Sequence, residues 1–254
     1  MPDDYKYHSM SYHPRGRSNF RNISGSNWRL LPDHSYERPL GRQESAFYWV
    51  SAFSRTSDLV PCVQIQVVER NFDEIIELPN VVRAWTNVKM RFPLLGSRLY
   101  ERDNVIFLNV SEDRLLTHQS NEISIRAASS CLGGEGLVDS MLEGEQLSND
   151  LLACIVIARD QSRTDSFYLL FNVAHIIADG LSCVAIIKTF VNELCDIAGT
   201  SHRSKWKERL AVSVPSEQLN PAAKLSKARR RWRSATAAIL ASRMLARLKA
   251  RILP

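Results

Sequence analysis

A histidine, a carboxylate four residues on and a glycine directly after it carry the most chemistry in this chain: His175-Ile176-Ile177-Ala178-Asp179-Gly180. A neutral imidazole can take a proton from an alcohol or an amine. The carboxylate can lock the surrounding loop by pairing with a basic group. The glycine can supply backbone angles that a tight turn into a helix requires. Three fixed positions also suit a plain core histidine that closes a strand end. The flanking segments bear on the choice. Ser166 to Val173 is an apolar, aromatic-rich run of strand length. Leu181 to Ala198 has helical periodicity, with Ser182, Thr189, Glu193 and Asp196 on one narrow polar stripe. His175 and Asp179 are therefore expected at a strand-to-helix junction. Rigid elements would hold them there while leaving a side chain free to face a cavity.

The other elements follow from similar signals. Residues 1–35, rich in Ser, Asn, Arg, Tyr and His without periodicity, read as a disordered or loosely attached segment. Glu44 to Phe53 reads as a short helix after the Pro39-Leu40-Gly41 turn. Pro61 to Val68 alternates and reads as a strand. Pro79 suits the first position of a helix whose apolar stripe is Val82, Trp85 and Val88 and which Phe92-Pro93 ends. Ser97–Glu101 and Asn104–Val110 form a hairpin turning at Arg102-Asp103. Glu122–Ala127 is a strand, Gly133-Gly134-Glu135-Gly136 a loop and Gly136–Glu145 a weak helix. Leu151–Ala158 is an unbroken apolar strand suited to the middle of a sheet. Residues 199–220 read as a polar linker, and 221–251 as a basic amphipathic helix or helix pair with Trp232, Ile239, Leu240, Leu245 and Leu248 on its apolar side. Strands mixed with helices predict an α/β domain.

Composition narrows the function classes. The 254 residues are 44% hydrophobic and 24% charged, an ordinary globular balance. No apolar run is long enough to span a bilayer, and the polar first twenty residues lack a secretory signal pattern. Cys62, Cys131, Cys154, Cys183 and Cys195 have no metal-ligand spacing. They are expected to be reduced, buried thiols of a cytoplasmic protein. Cys183 is a poor candidate nucleophile, since no second histidine is near it in sequence. The net charge is +6. Ten of the 33 Lys and Arg lie from 224 onward, where there is no Asp or Glu. The rest of the chain thus has 23 basic against 27 acidic residues, a net −4.

The stretch His175 to Gly180 resembles the active-site motif of the chloramphenicol acetyltransferase-like superfamily. That group includes plant and fungal acyltransferases of the BAHD type and the condensation domains of peptide synthetases. Trp85 to Arg91, followed by Phe92-Pro93-Leu94-Leu95-Gly96-Ser97-Arg98-Leu99, is similar to the family's first long helix and its exit into a strand. Arg38 to Trp49 resembles the opening segment of fungal members. The resemblance implies a lobe with a mixed β-sheet flanked by helices over residues 36–200, and a helical linker over 201–254. It implies two such lobes with a tunnel between them, acyl-CoA entering from one side and a small alcohol or amine acceptor from the other. His175 would be the general base, Asp179 a structural residue tied to an arginine, and Gly180 the turn residue. No permanently bound cofactor and no metal are implied; acyl-CoA is a co-substrate. Condensation domains usually carry two adjacent histidines, whereas Ala174 precedes His175 here, which favours CoA-dependent transfer. The second lobe's Asp-Phe-Gly-Trp-Gly motif does not occur in the chain. The expectation is a truncated product, an incomplete gene model or one piece of a split enzyme that takes a second-lobe partner. A lobe-only, catalytically inactive binding protein or a condensation-domain-like protein is the alternative. Nucleic-acid or membrane-surface binding through the basic tail is the least favoured reading.

Overall fold

The longer elements form near where periodicity and turn residues place them. The computed structural model describes residues 27–54, 57–68, 72–127, 134–144, 147–159, 163, 165–196, 205–219, 225–229 and 231–236. They form β1 (Arg29–Leu30), β2 (Tyr36–Pro39), α1 (Arg42–Ser54), β3 (Cys62–Gln66), α2 (Phe72–Ile75) and α3 (Leu78–Arg91). A 3₁₀ turn at Pro93–Gly96 leads to β4 (Arg98–Arg102), β5 (Val105–Val110), α4 (Glu112–Leu116), β6 (Ile123–Ala127) and α5 (Gly134–Gly144). Then come β7 (Ala153–Arg159), β8 (Ser166–Val173), α6 (Gly180–Cys195), α7 (Trp206–Val212) and α8 (Ser216–Leu219).

The strands sort into two four-stranded sheets, one of them the mixed sheet expected. One has the order β1-β2-β5-β4 and is antiparallel throughout. The other has the order β3-β8-β7-β6, with β6 and β7 parallel and the remaining pairs antiparallel. The β4–β5 hairpin touches the segment before β7 through a backbone hydrogen bond, Leu99 N donating to Asn149 O at 2.6 Å. The hairpin pairs with β2, Tyr36 opposite Val110. Its turn lies one residue later than the sequence suggests. Asp103 and Asn104 both adopt positive φ, 52° and 59°, as a tight two-residue hairpin turn requires.

Two predicted boundaries are corrected. Residues 27–35 are not loosely attached: Trp28 is completely buried and Arg29–Leu30 pair with Tyr36–Glu37. Residues 1–26 lie outside the described residues. Nor do 205–219 behave as a linker. Trp206 and Leu210 of α7 are buried on the antiparallel sheet, where Trp206 meets Tyr36 edge-to-face at 5.6 Å. Apolar residues one turn apart gave too short a signal for sequence periodicity to register. Gly134 opens α5 rather than lying in a loop, and a Cβ there would sit 3.4 Å from the Tyr168 ring. Of the cysteines, Cys195 is exposed rather than buried, and Cys131 lies outside the described residues. The basic tail is described only in short helical stretches up to residue 236, where Trp232 is exposed. Ile239, Leu240, Leu245 and Leu248 lie outside them.

The mixed sheet is covered by α3 and α6. Phe171 of β8 packs between Trp85 (6.2 Å) and Phe190 (5.6 Å), which ties both helices to the strand that leads into the motif. Burial of three such rings is worth several kcal/mol by area alone. On α3, Lys89 is fully buried. Its Nζ donates to Glu122 Oε2 at 2.8 Å and to the Arg114 carbonyl at 2.8 Å, and the Trp85 indole donates to the same carboxylate oxygen at 3.0 Å. Burial pulls the Lys89 ammonium below the usual lysine range, and the Glu122 charge opposes that shift. α6 is amphipathic in a different sense from the sequence reading. Thr189 is buried, its hydroxyl satisfied by the Ala185 carbonyl at 2.8 Å, while Leu181 and Val184 face outward.

Candidate active site

β8 carries the chain to His175. Ala174 N donates to Leu152 O at 2.9 Å, so the pairing with the neighbouring segment continues one residue past the strand. Ile177 N donates to Ala174 O at 3.0 Å and closes a turn. Within this turn His175 Nδ1 lies 2.9 Å from the Ala178 carbonyl oxygen. A carbonyl can only accept, so Nδ1 carries the proton and donates it. Nε2 is left with its lone pair, the form a general base needs.

A second element fixes the ring. Phe47 of α1 stacks on the imidazole with centroids 4.0 Å apart and 17° between planes. The start of α1 is fixed in turn by the buried Arg38 guanidinium. It donates to both Glu44 oxygens at 2.7 Å, and Glu44 also accepts from Gly41 N at 2.7 Å. This is a bidentate charge-assisted pair of the strong kind. The segment Arg38 to Trp49 thus acts on the site through one aromatic ring set by one ion pair.

Two cavities meet at His175. One, of about 320 Å³, is lined by Tyr48, Ser51, Asp58, Asn149 and Leu152 among others. The other, of about 840 Å³, is lined by Phe47, Phe92, Leu94, Ile186, Arg91 and Arg209 among others. They share only His175 and Ile176. Arg209 Nη1 donates to the Arg91 carbonyl at 3.2 Å, and the larger cavity is also lined by the carboxylates of Glu44 and Asp179.

Asp179 does not take the place the resemblance implies. It is exposed and caps α6, its Oδ1 accepting from Ser182 N at 2.7 Å. Among the described residues it forms no ion pair with an arginine. The Ser182 hydrogen bonds hold its carboxyl below the usual aspartate range, with a smaller contribution from the His175 ring in its protonated form. Gly180 is the first residue of α6 and is exposed. A Cβ there would meet nothing within 4 Å, and its φ is not in the left-handed region, so the turn does not require glycine. Cys183 is buried, and burial together with the Asp179 charge pushes its thiol above the ordinary range. That is the opposite of what a nucleophilic thiolate needs. Three residues beside His175 were not singled out from the sequence as site groups: Phe47, Ser51 and Asp58. None has a spacing relation to the motif. Asp58 is half-buried, and burial raises its carboxyl, opposed by the Ser51 hydroxyl and by the His175 ring in its protonated form. Among the described residues no group of three or more His, Cys, Asp and Glu could hold a metal, and no helix is long and apolar enough to cross a membrane.

No protein-family model matches the sequence, and no curated protein does. Solved structures do. TRI3 trichothecene 15-O-acetyltransferase from Fusarium sporotrichioides superposes with a TM-score of 0.58 at 15% identity, over 85% of this chain and 48% of that one. A variant of the starter condensation domain of rhizomide synthetase superposes with a TM-score of 0.52 at 11% identity, over 73% of this chain and 44% of that one. The chain therefore spans under half the length of each. At such identities the likeness reports architecture alone, and on that architecture the chain has the chloramphenicol acetyltransferase-like fold.

Proposed function

We propose that the chain supplies the histidine-bearing lobe of an acyltransferase that moves an acyl group from a coenzyme A thioester to a hydroxyl or amine. The observation that carries this is the placement of His175: Nδ1 is tied to Ala178 O, and the ring lies where the two cavities meet. Nε2 takes the acceptor's proton as its oxygen or nitrogen attacks the thioester carbonyl. The tetrahedral intermediate collapses with cleavage of the C–S bond, and the imidazolium returns the proton to the leaving thiolate. Phe47, face-on to the ring, restricts its rotation, so the lone pair keeps its aim. The larger cavity suits the donor, because its apolar walls fit an acyl chain and Arg91 and Arg209 fit phosphate charge. Asp179 acts on the site by fixing the start of α6 and, among the described residues, contributes no ion pair to it.

The test is release of free thiol from a series of acyl-CoA esters with alcohol and amine acceptors, using the complete protein. His175→Ala is expected to lower kcat by about 10²–10⁴-fold, the range for a lost general base. Equal turnover by the variant and the wild type would remove this mechanism.

A further inference from the structure

The transfer chemistry leaves one charged group of the smaller cavity unused. Asp58 lines that cavity together with Tyr48, Ser51, Ser57 and His175. Its hydrogen bond from Ser51 Oγ is long, at 3.4 Å. Among the described residues no lysine or arginine lines the cavity and none forms an ion pair with Asp58. A half-buried carboxylate in this position keeps only part of its hydration, and the protein returns little of it. The other aspartate of the site, Asp179, has its backbone N–H donor at 2.7 Å. Burial raises the Asp58 carboxyl, in line with an under-compensated anion. The larger cavity is lined by charges of both signs, Arg91 and Arg209 with Glu44 and Asp179, whereas Asp58 is the one carboxylate lining the smaller cavity among the described residues.

We propose that Asp58 makes the smaller cavity a binding site for a small molecule that carries a protonated amine, with the ammonium held between the Asp58 carboxylate and the face of Tyr48. A volume of about 320 Å³ fits a ligand at the small end of the usual range. Tyr48 adds an aromatic ring, which attracts a cation. In combination with the acyl-transfer reading, on which only this step rests, the acylated group is a different one. An ammonium has no lone pair to attack with, so the nucleophile is a hydroxyl or second amine of the same molecule, placed at His175 Nε2. The acceptor class is then the amino alcohols and diamines.

Binding of two matched probes tests this without any turnover. Tyramine and tyrosol differ only in an ammonium against a hydroxyl at the chain end. Calorimetry or ligand-observed NMR at neutral pH should find tyramine bound about tenfold more tightly by the wild type, the scale of one charge-assisted hydrogen bond. Asp58→Asn keeps the shape and should bring the two probes to equal affinity without weakening tyrosol. Asp58→Glu should keep part of the preference, and serves if the Asn variant fails to fold. Equal affinity in the wild type, failure of both probes to bind, or a preference that survives Asp58→Asn would each overturn the proposal. Loss of the acyl-transfer reading would show separately, as thioester turnover indifferent to His175.

Discussion

Replacing Asp179 by alanine separates two accounts of the same carboxylate. The bond at stake is Ser182 N to Asp179 Oδ1, 2.7 Å, at the exposed start of α6. Losing such a cap costs about 0.5–2 kcal/mol, because water takes up the freed N–H only in part. A negative charge on a helix N-terminus contributes about 0.3–1 kcal/mol, which overlaps with the first figure. Asp179→Ala should therefore destabilise by about 1–2 kcal/mol. For a chain of this length that lowers Tm by several degrees, at about 2–4 °C per kcal/mol. An arginine left buried and unpaired would instead cost about 3–5 kcal/mol. Urea and thermal melts of Asp179→Ala, Asp179→Asn and Asp179→Ser decide between them. Asn and Ser can both cap, so they should recover most of the loss. The pH dependence has a definite sign. The folded carboxyl titrates below its unfolded value, so its stabilisation is present at neutral pH. It is lost as pH falls from the ordinary aspartate range through the folded value. The gap between wild type and the Ala variant should close in acid. A loss of 3–5 kcal/mol, or an Asn variant as damaged as Ala, would refute the capping account and restore an ionic partner.

Lys89→Met should destabilise by about 3–5 kcal/mol in urea melts, because it strands the buried Glu122 carboxylate with the Trp85 indole as its remaining side-chain donor. A loss under about 1 kcal/mol would mean that the cluster is solvated. Gly180→Ala should be neutral or stabilising by up to about 1 kcal/mol, since the new methyl group meets open space in a helical backbone. A marked drop in Tm would show a backbone demand for glycine that the geometry lacks.

The sequence by itself determined the local framework of the site. The apolar run of β8 was read to its observed bounds, Ser166–Val173, and α6 begins one residue before its predicted start. Both follow from near-neighbour physics. Side-chain periodicity reports which face is apolar, and a residue such as Asp179 next to a helical run reports where the helix begins. The proline that ends α3 and the turn residues of the β4–β5 hairpin act over a few residues in the same way. Tertiary structure decided what those faces meet. Nothing in the segment 36–39 says that it pairs with residues 107–110, nor that Trp206 will close over Tyr36. A pattern of apolar positions fixes the face to be buried but leaves the covering partner open. That choice is made by all the elements together as they close around a common core. The site shows the same division. His175 and Asp179 were legible because they sit in one turn. The Phe47 ring on the imidazole, the Asp58 carboxylate in the smaller cavity and the cap that replaces an expected ion pair exist only once α1, the segment after it and α6 are brought together in space.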